Sequence, residues 1–194
     1  MDRRARGRRH LTPNGFHGAR HDIYTFRFAL AHLQAAKPRV LYLAFDETDD
    51  WAHLKRYDLA LDTLHRTDAQ LEQLWNWLQS DSQYRGKTTL ILTVDHGRGR
   101  TAADWMDHGK DVAGAHETWL GCFGPTVTAR GEQATGDTLY QKQVAGTVAA
   151  LLAGTSPRRC QPPPRRFPRV SARASGGRRP DAAVLRLTRR AVLV

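Results

Sequence analysis

Apolar positions along the chain fall into short runs whose spacing switches between two periods. In residues 21–37, Ile23, Phe26, Leu30 and Leu33 recur three or four apart and stop at Pro38, which predicts an amphipathic helix. Residues 39–45 follow as a compact run in which Val40, Leu41, Leu43 and Phe45 leave almost no polar face, the pattern of a buried strand. Helical spacing returns over residues 54–79, with Tyr57, Leu61, Leu64, Leu71, Trp75 and Leu78 on one stripe. The β-branched run TTLILTV at 88–94 and a shorter run at 118–123 predict two more strands, the last closed by Gly124 and Pro125. Leu139, Val144, Val148, Leu151 and Leu152 outline a final helix over 139–153, ended by Gly154. Helices alternating with buried strands predict an α/β fold, a mostly parallel or mixed sheet with helices on both faces.

Chemistry enters where strands end. After the first strand the polarity reverses into Asp46, Glu47, Asp49, Asp50 and His53. Carboxylates this crowded repel one another and call for a cation. Asp49 and His53 are four apart, so one helical turn places both on one face. The second strand runs directly into Asp95, His96 and Gly97, again a carboxylate and an imidazole past a strand's end. Ligands of open α/β sheets bind beyond the carboxyl ends of the strands. Carboxylate and imidazole donors suit zinc, manganese or iron. The competing structural reading is that Asp49 and Asp95 merely cap the segments that follow them. Asp46 and Asp50 are expected to be solvated or supporting, and His65 to lie on the surface. Trp75, Trp77 and Trp119 are expected in or near the core, whereas Trp51 and Trp105 lie close enough in sequence to wall a site.

Charge changes the picture less than its total suggests. The net charge of +11 resembles that of a nucleic-acid binder. Residues 1–10, however, carry five Arg and one Asp, and residues 155–194 carry eleven Arg and one Asp, which leaves 14 basic against 17 acidic residues between them. The centre is mildly acidic. The Arg- and Pro-rich stretch from 155 is too poor in large apolar residues for a core and is expected to be disordered, although its last residues have the pattern of a short helix or strand. The organisation expected is therefore a polar basic segment at 1–20, a domain at 21–154 and a tail at 155–194. Cys122 and Cys160 make no disulfide framework, and Cys122 is expected to be a small core residue. No stretch has the length and apolarity of a membrane span. The Arg-rich start lacks a following apolar segment, so no secretory signal is expected and the cytoplasm is the default compartment.

Taken together, the strand leading to Asp-x-x-x-His (Asp49, His53), the strand leading to Asp-His-Gly (Asp95, His96, Gly97), and a later histidine before a strand ending in Gly-Pro resemble the alkaline phosphatase-like superfamily. That superfamily includes sulfatases, nucleotide pyrophosphatases and cofactor-independent phosphoglycerate mutases. The resemblance covers about residues 21–154. It implies a metal-dependent hydrolase of phosphate or sulfate esters with two divalent ions, zinc or manganese, and a small-molecule ester as partner. Carried over, Asp49 and His53 hold one ion with a later histidine, and Asp95 and His96 hold the other. His108 is the first choice for the later histidine, with His116 as the alternative. Arg98 or Arg100 is placed to reach a substrate anion. Two close cations can stabilise both oxygens of an in-line displacement. Many relatives are exported, which leaves the compartment open.

The resemblance also implies a Ser or Thr nucleophile on a strand well before Asp49, and no such strand is present. Thr12 lies in a polar loop and Thr25 within a helix. The chain therefore resembles the C-terminal part of such an enzyme and is expected to have little or no hydrolase activity alone. Two other functions compete. In one, the Arg-rich ends contact nucleic acid or an anionic surface, but they lack interleaved aromatics and any recognised motif. In the other, Asp49, His53 and His108 form a mononuclear iron site, which leaves Asp95 and His96 unexplained.

Overall fold

The computed structural model describes residues 20–125, 127–133, 138–153 and 190–193. These fall into two units, one formed by the described residues up to 128 together with 190–193, the other by the described residues from 129 to 153. In chain order the first unit holds α1 (Asp22–Ala36), β1 (Val40–Tyr42), α2 (Glu47–His53), α3 (Tyr57–Ser80), β2 (Thr88–Thr93), β3 (Leu120–Phe123) and β4 (Arg190–Leu193). The second holds α4 (Gln143–Ala153).

The mixture of helices and strands fits the α/β class. The strands form a sheet in the order β1-β4-β2-β3. β2 and β3 are antiparallel, from Leu90 opposite Phe123 to Thr93 opposite Leu120. Among the described residues the only parallel pairs are those made by β4, which lies between β1 and β2 with Ala191 opposite both Val40 and Thr89. β4 comes from the stretch expected to be disordered, so for residues 190–193 the strand pattern prevails. The rest of the tail and the segment 1–19 lie outside the described residues.

The core of the first unit gathers Phe26 and Leu33 of α1, Leu43, Leu74 and Leu78 of α3, Tyr84, and Leu90 of β2. Tyr84 is fully buried, and its hydroxyl donates to the Pro38 carbonyl at 2.9 Å, which satisfies the polar end of the ring. α1 stops where Lys37 turns left-handed (φ 47°) ahead of Pro38. The Lys37 ammonium then pairs with Asp81 and lies 4.7 Å from the centre of the Trp77 ring, joining the ends of α1 and α3.

Two apolar expectations are corrected. β1 spans three residues, not seven, and it is an edge strand: Val40 is 39% and Tyr42 70% exposed, while Leu43 just beyond is buried. Successive strand residues point to opposite faces, and the face that bears Val40 and Tyr42 is the exposed one. The stripe on α3 also divides. Leu74 and Leu78 are core, but Tyr57, Leu61 and Leu64 are 59%, 48% and 54% exposed. Inward positions in that first half are the small residues Ala60 and Thr63, and α2 packs against α3 with buried Ala52. Small side chains let the two helices approach closely, and the large apolar residues are displaced outward.

Candidate metal centre

The predicted helical turn after β1 exists as α2. It begins at Glu47, with Asp46 as its N-cap, and ends at His53. Asp49 and His53 therefore share a face, with His53 Nε2 3.3 Å from Asp49 Oδ2. Asp49 lies inside this helix and α3 starts later, at Tyr57 with Arg56 as N-cap, so Asp49 is not a cap.

The loop after β2 delivers the other donors. Gly97 matters here through close approach. A side chain at that position would meet the Gly114 carbonyl oxygen at 2.2 Å and that of Glu117 at 2.4 Å. Its N–H donates to Ala115 O at 2.8 Å, which holds the start of the loop against its end. Asp95 Oδ1 accepts the His96 N–H at 3.0 Å, and His96 Nδ1 lies 2.9 Å from Gly97 O. A carbonyl only accepts, so the proton of the neutral ring resides on Nδ1 and Nε2 presents its lone pair.

That lone pair faces the helix. His96 Nε2 and His108 Nε2 each lie 3.6 Å from Asp49 Oδ1, and the two imidazoles stack at 3.8 Å between centres. His108 Nε2 is also 3.0 Å from His53 Nε2. Donors about 2.0–2.1 Å from a tetrahedral ion stand about 3.3 Å apart. The edges 3.0, 3.3, 3.6 and 3.6 Å bracket that spacing. Asp49, His96 and His108 form the group of donors that could share an ion, all within 4.8 Å, and His53 adjoins it. Imidazole nitrogens gathered about one carboxylate are the donor set that a divalent cation takes.

Of the two groupings expected from the sequence, the structure brings His96 to Asp49. Asp95 stands outside, 88% exposed and 3.8 Å from His96 Nε2. His108 is in the cluster, whereas His116 is exposed and outside it. The Arg98 guanidinium pairs with Asp49 Oδ1 and donates to Met106 O at 3.1 Å, so this arginine rests on the carboxylate. Arg100 pairs with Glu117, which holds that carboxyl below its usual range. Asp50 is pushed upward by burial and then by Asp46, Asp49 and Glu47, and its Oδ2 is buried without a partner, as is Trp51 Nε1.

The cluster opens into a cavity of about 410 Å³. Asp46, Asp49, Asp50, Asp95, His96 and Arg98 form its polar side, and Phe45, Leu64, Val94 and Trp119 its apolar side. Trp119 is 58% exposed, outside the position in or near the core expected for it, and its carbonyl accepts from Thr93 Oγ1 at 2.8 Å. Trp105 packs edge-on against Tyr57, 5.1 Å between centres, rather than on the cavity wall. His65 is exposed as expected.

Sequence reasoning missed Thr48 and Asp22, and read Glu47 only as one of a run of acidic residues. Among the described residues that line the cavity, Thr48 carries the only hydroxyl side chain. Asp22 and Glu47 are both 3% exposed, 25 positions apart and bonded to each other's backbone. Burial pushes the Asp22 carboxyl up to about 6, against the N–H bonds from Asp46 and Glu47 that lower it. The available signal was an acidic residue opening each helix.

These features define a carboxylate–imidazole centre at the strand ends of an α/β domain. Residues 8–160, well over half the chain, match the family model of type I phosphodiesterases / nucleotide pyrophosphatases, and the chain belongs to that family. The family lies within the alkaline phosphatase-like superfamily, as the motifs predicted. No curated protein and no solved structure matches the chain. Among the described residues no helix is long and apolar enough to cross a membrane.

Proposed function

We propose that the chain carries the metal-binding part of a phosphoester hydrolase centre, in which Asp49, His96 and His108, with His53 beside them, hold a divalent zinc or manganese ion. The observation that carries this reading is the gathering of Asp49, His96 and His108, with donor atoms within 4.8 Å of one another, and of His53 at 3.3 Å from Asp49 and 3.0 Å from His108. A divalent ion supplies charge to offset the phosphoryl oxygens and lowers the pKa of a bound water or hydroxyl. The family favours a phosphate ester, in particular a diester, over a sulfate ester. Asp95, beside His96 on the outer side, is the residue for a second ion. The same reading includes a mostly parallel sheet covered on both faces.

The protein's own groups divide the work. His96 keeps its proton on Nδ1 against Gly97 O, so Nε2 stays available as a donor. Arg98 neutralises Asp49 and is within reach of a phosphoryl oxygen once the carboxylate has another cation. Leu64 and Trp119 give the organic part of the ester an apolar surface. Among the described residues that line the cavity, Thr48 carries the only hydroxyl side chain, and it sits beside Asp49 on α2.

Binding tests the reading without depending on turnover. Phenylphosphonate, whose P–C bond resists hydrolysis, is titrated calorimetrically into manganese-loaded protein, chelator-treated protein and a His96→Ala variant. The reading expects heat only with the loaded wild type, and weaker binding of benzenesulfonate. Equal binding after chelation, or none when loaded, contradicts it.

A further inference from the structure

α2 bears Asp49 and His53; its flank packs on α3 through Ala52, and its first turn is held separately. It has seven residues, too few for a helix to persist alone, and beyond Glu47 only Ala52 is buried. The N-cap residues of α1 and α2, His21 and Asp46, make no side-chain cap hydrogen bond. Each helix is capped by the other's first residue instead. Asp22 Oδ1 accepts the Asp46 N–H at 2.9 Å and its Oδ2 accepts the Glu47 N–H at 3.2 Å. In return Glu47 Oε2 accepts the Asp22 N–H at 2.9 Å, and its Oε1 holds His21 Nδ1 at 2.5 Å. Four otherwise orphaned polar groups are paired in one buried clasp.

We propose that Asp22 and Glu47, with His21, are positioning residues for the metal centre: they seat α2 on α1 so that Asp49 and His53 meet His96 and His108. This rests on the metal reading above. α1 is part of the core through Phe26 and Leu33, and β2 through Leu90. The loop donors are thereby referenced to the core through β2, and the helix donors through the packing of α2 on α3 together with the clasp, which fixes the first turn. Glu47 and Asp22 touch none of the metal donors with their carboxylates. Their effect passes through the backbone of 46 and 47, where Asp46 O accepts the Asp49 N–H at 3.1 Å and the Asp50 N–H at 3.2 Å. Buried carboxylates that accept backbone N–H groups specify one orientation, because an amide in the same place turns a donor toward a donor.

Cobalt(II) reports both affinity and donor geometry. It is titrated into wild type, Glu47→Gln, Asp22→Asn, the milder His21→Ala, and Leu74→Ala, which weakens the core away from the clasp, with visible absorption recorded for each. The inference expects the clasp variants to lose about 10- to 100-fold in cobalt affinity. It also expects an altered absorption band for them, with Leu74→Ala unchanged in both where folded. If either buried-carboxylate variant fails to fold, His21→Ala decides. Clasp variants that match wild type, or a Leu74→Ala variant that behaves as they do, overturn the inference and leave the metal reading standing. A wild type that binds no cobalt overturns both.

Discussion

Two regions supply the metal donors, and they are held by different physics. The first, Asp46 to His53, is a regular helix whose donors are four apart; its first turn is bonded to the buried carboxylate of Asp22 and its flank packs on α3. The second, from Asp95 to His108, has no regular structure to space its donors. It is held by backbone packed against backbone at Gly97, by Arg98 on Met106 O, and by Thr101 and Asp104 bonding each other. A helix fixes relative geometry cheaply but must be docked. A loop fixes its own placement but only where no side chain intrudes. Arg98 joins them, since it belongs to the loop and rests on the helix's Asp49.

The largest expected effect separates the two later histidines. His108→Ala lowers zinc affinity about thousandfold, ~4 kcal/mol, because it removes a direct donor. His116→Ala leaves affinity within about twofold. Competition with a chromophoric chelator measures both, and equal losses would place the loop differently from the geometry described.

Next comes pH, which probes the helix side. Asp22 titrates near 6 when folded against 3.8 as its ordinary value, with Asp46, Glu47 and His21 around it. The folded state binds the proton more tightly, so the stability from this group is complete below about pH 4 and is lost as pH rises through about 6. Relative to Asp22→Asn, wild type should lose up to about 3 kcal/mol between those limits, read by urea unfolding. A pH-independent gap between the two proteins refutes the burial argument.

Gly97→Ala probes the loop side and should destabilise by about 2 kcal/mol, since the new methyl meets two carbonyl oxygens. Its amide-exchange signature should be confined to the loop, with α2 protected as before. Spread of the effect into α2 would mean that the two regions are not separately held. The smallest effect, at the bridge, has the opposite sign. Arg98→Gln removes a competing cation from Asp49 and should tighten zinc by about fivefold, roughly 1 kcal/mol. Phenylphosphonate binding should weaken in the same variant. Loss of metal affinity instead would assign Arg98 to holding the carboxylate in place.

What was legible in the sequence follows the same division. The Asp49 and His53 pair was legible because four-residue spacing is a local property of a helix. The grouping of His108 with Asp49 and His53 came from the resemblance, whereas His96, grouped there with Asp95, meets Asp49 through loop packing, which spacing does not encode. The pairing of Asp22 with Glu47 escaped notice because it spans 25 positions, and a crowd of carboxylates has the same pattern whether solvated or buried. Tyr57, Leu61 and Leu64 show the converse. Their periodicity marks a helix face correctly, but which face turns inward was decided by the small residues Ala52, Ala60 and Thr63.

The most direct test of the account is the metal content of protein purified under chelator-free conditions, by elemental analysis of wild type, Asp49→Ala and His96→Ala side by side. The account predicts at least one zinc or manganese ion per wild-type chain, and a loss in both variants even though one altered residue lies on the helix and the other on the loop. Wild type without bound metal, or variants that retain the wild-type content, would contradict it.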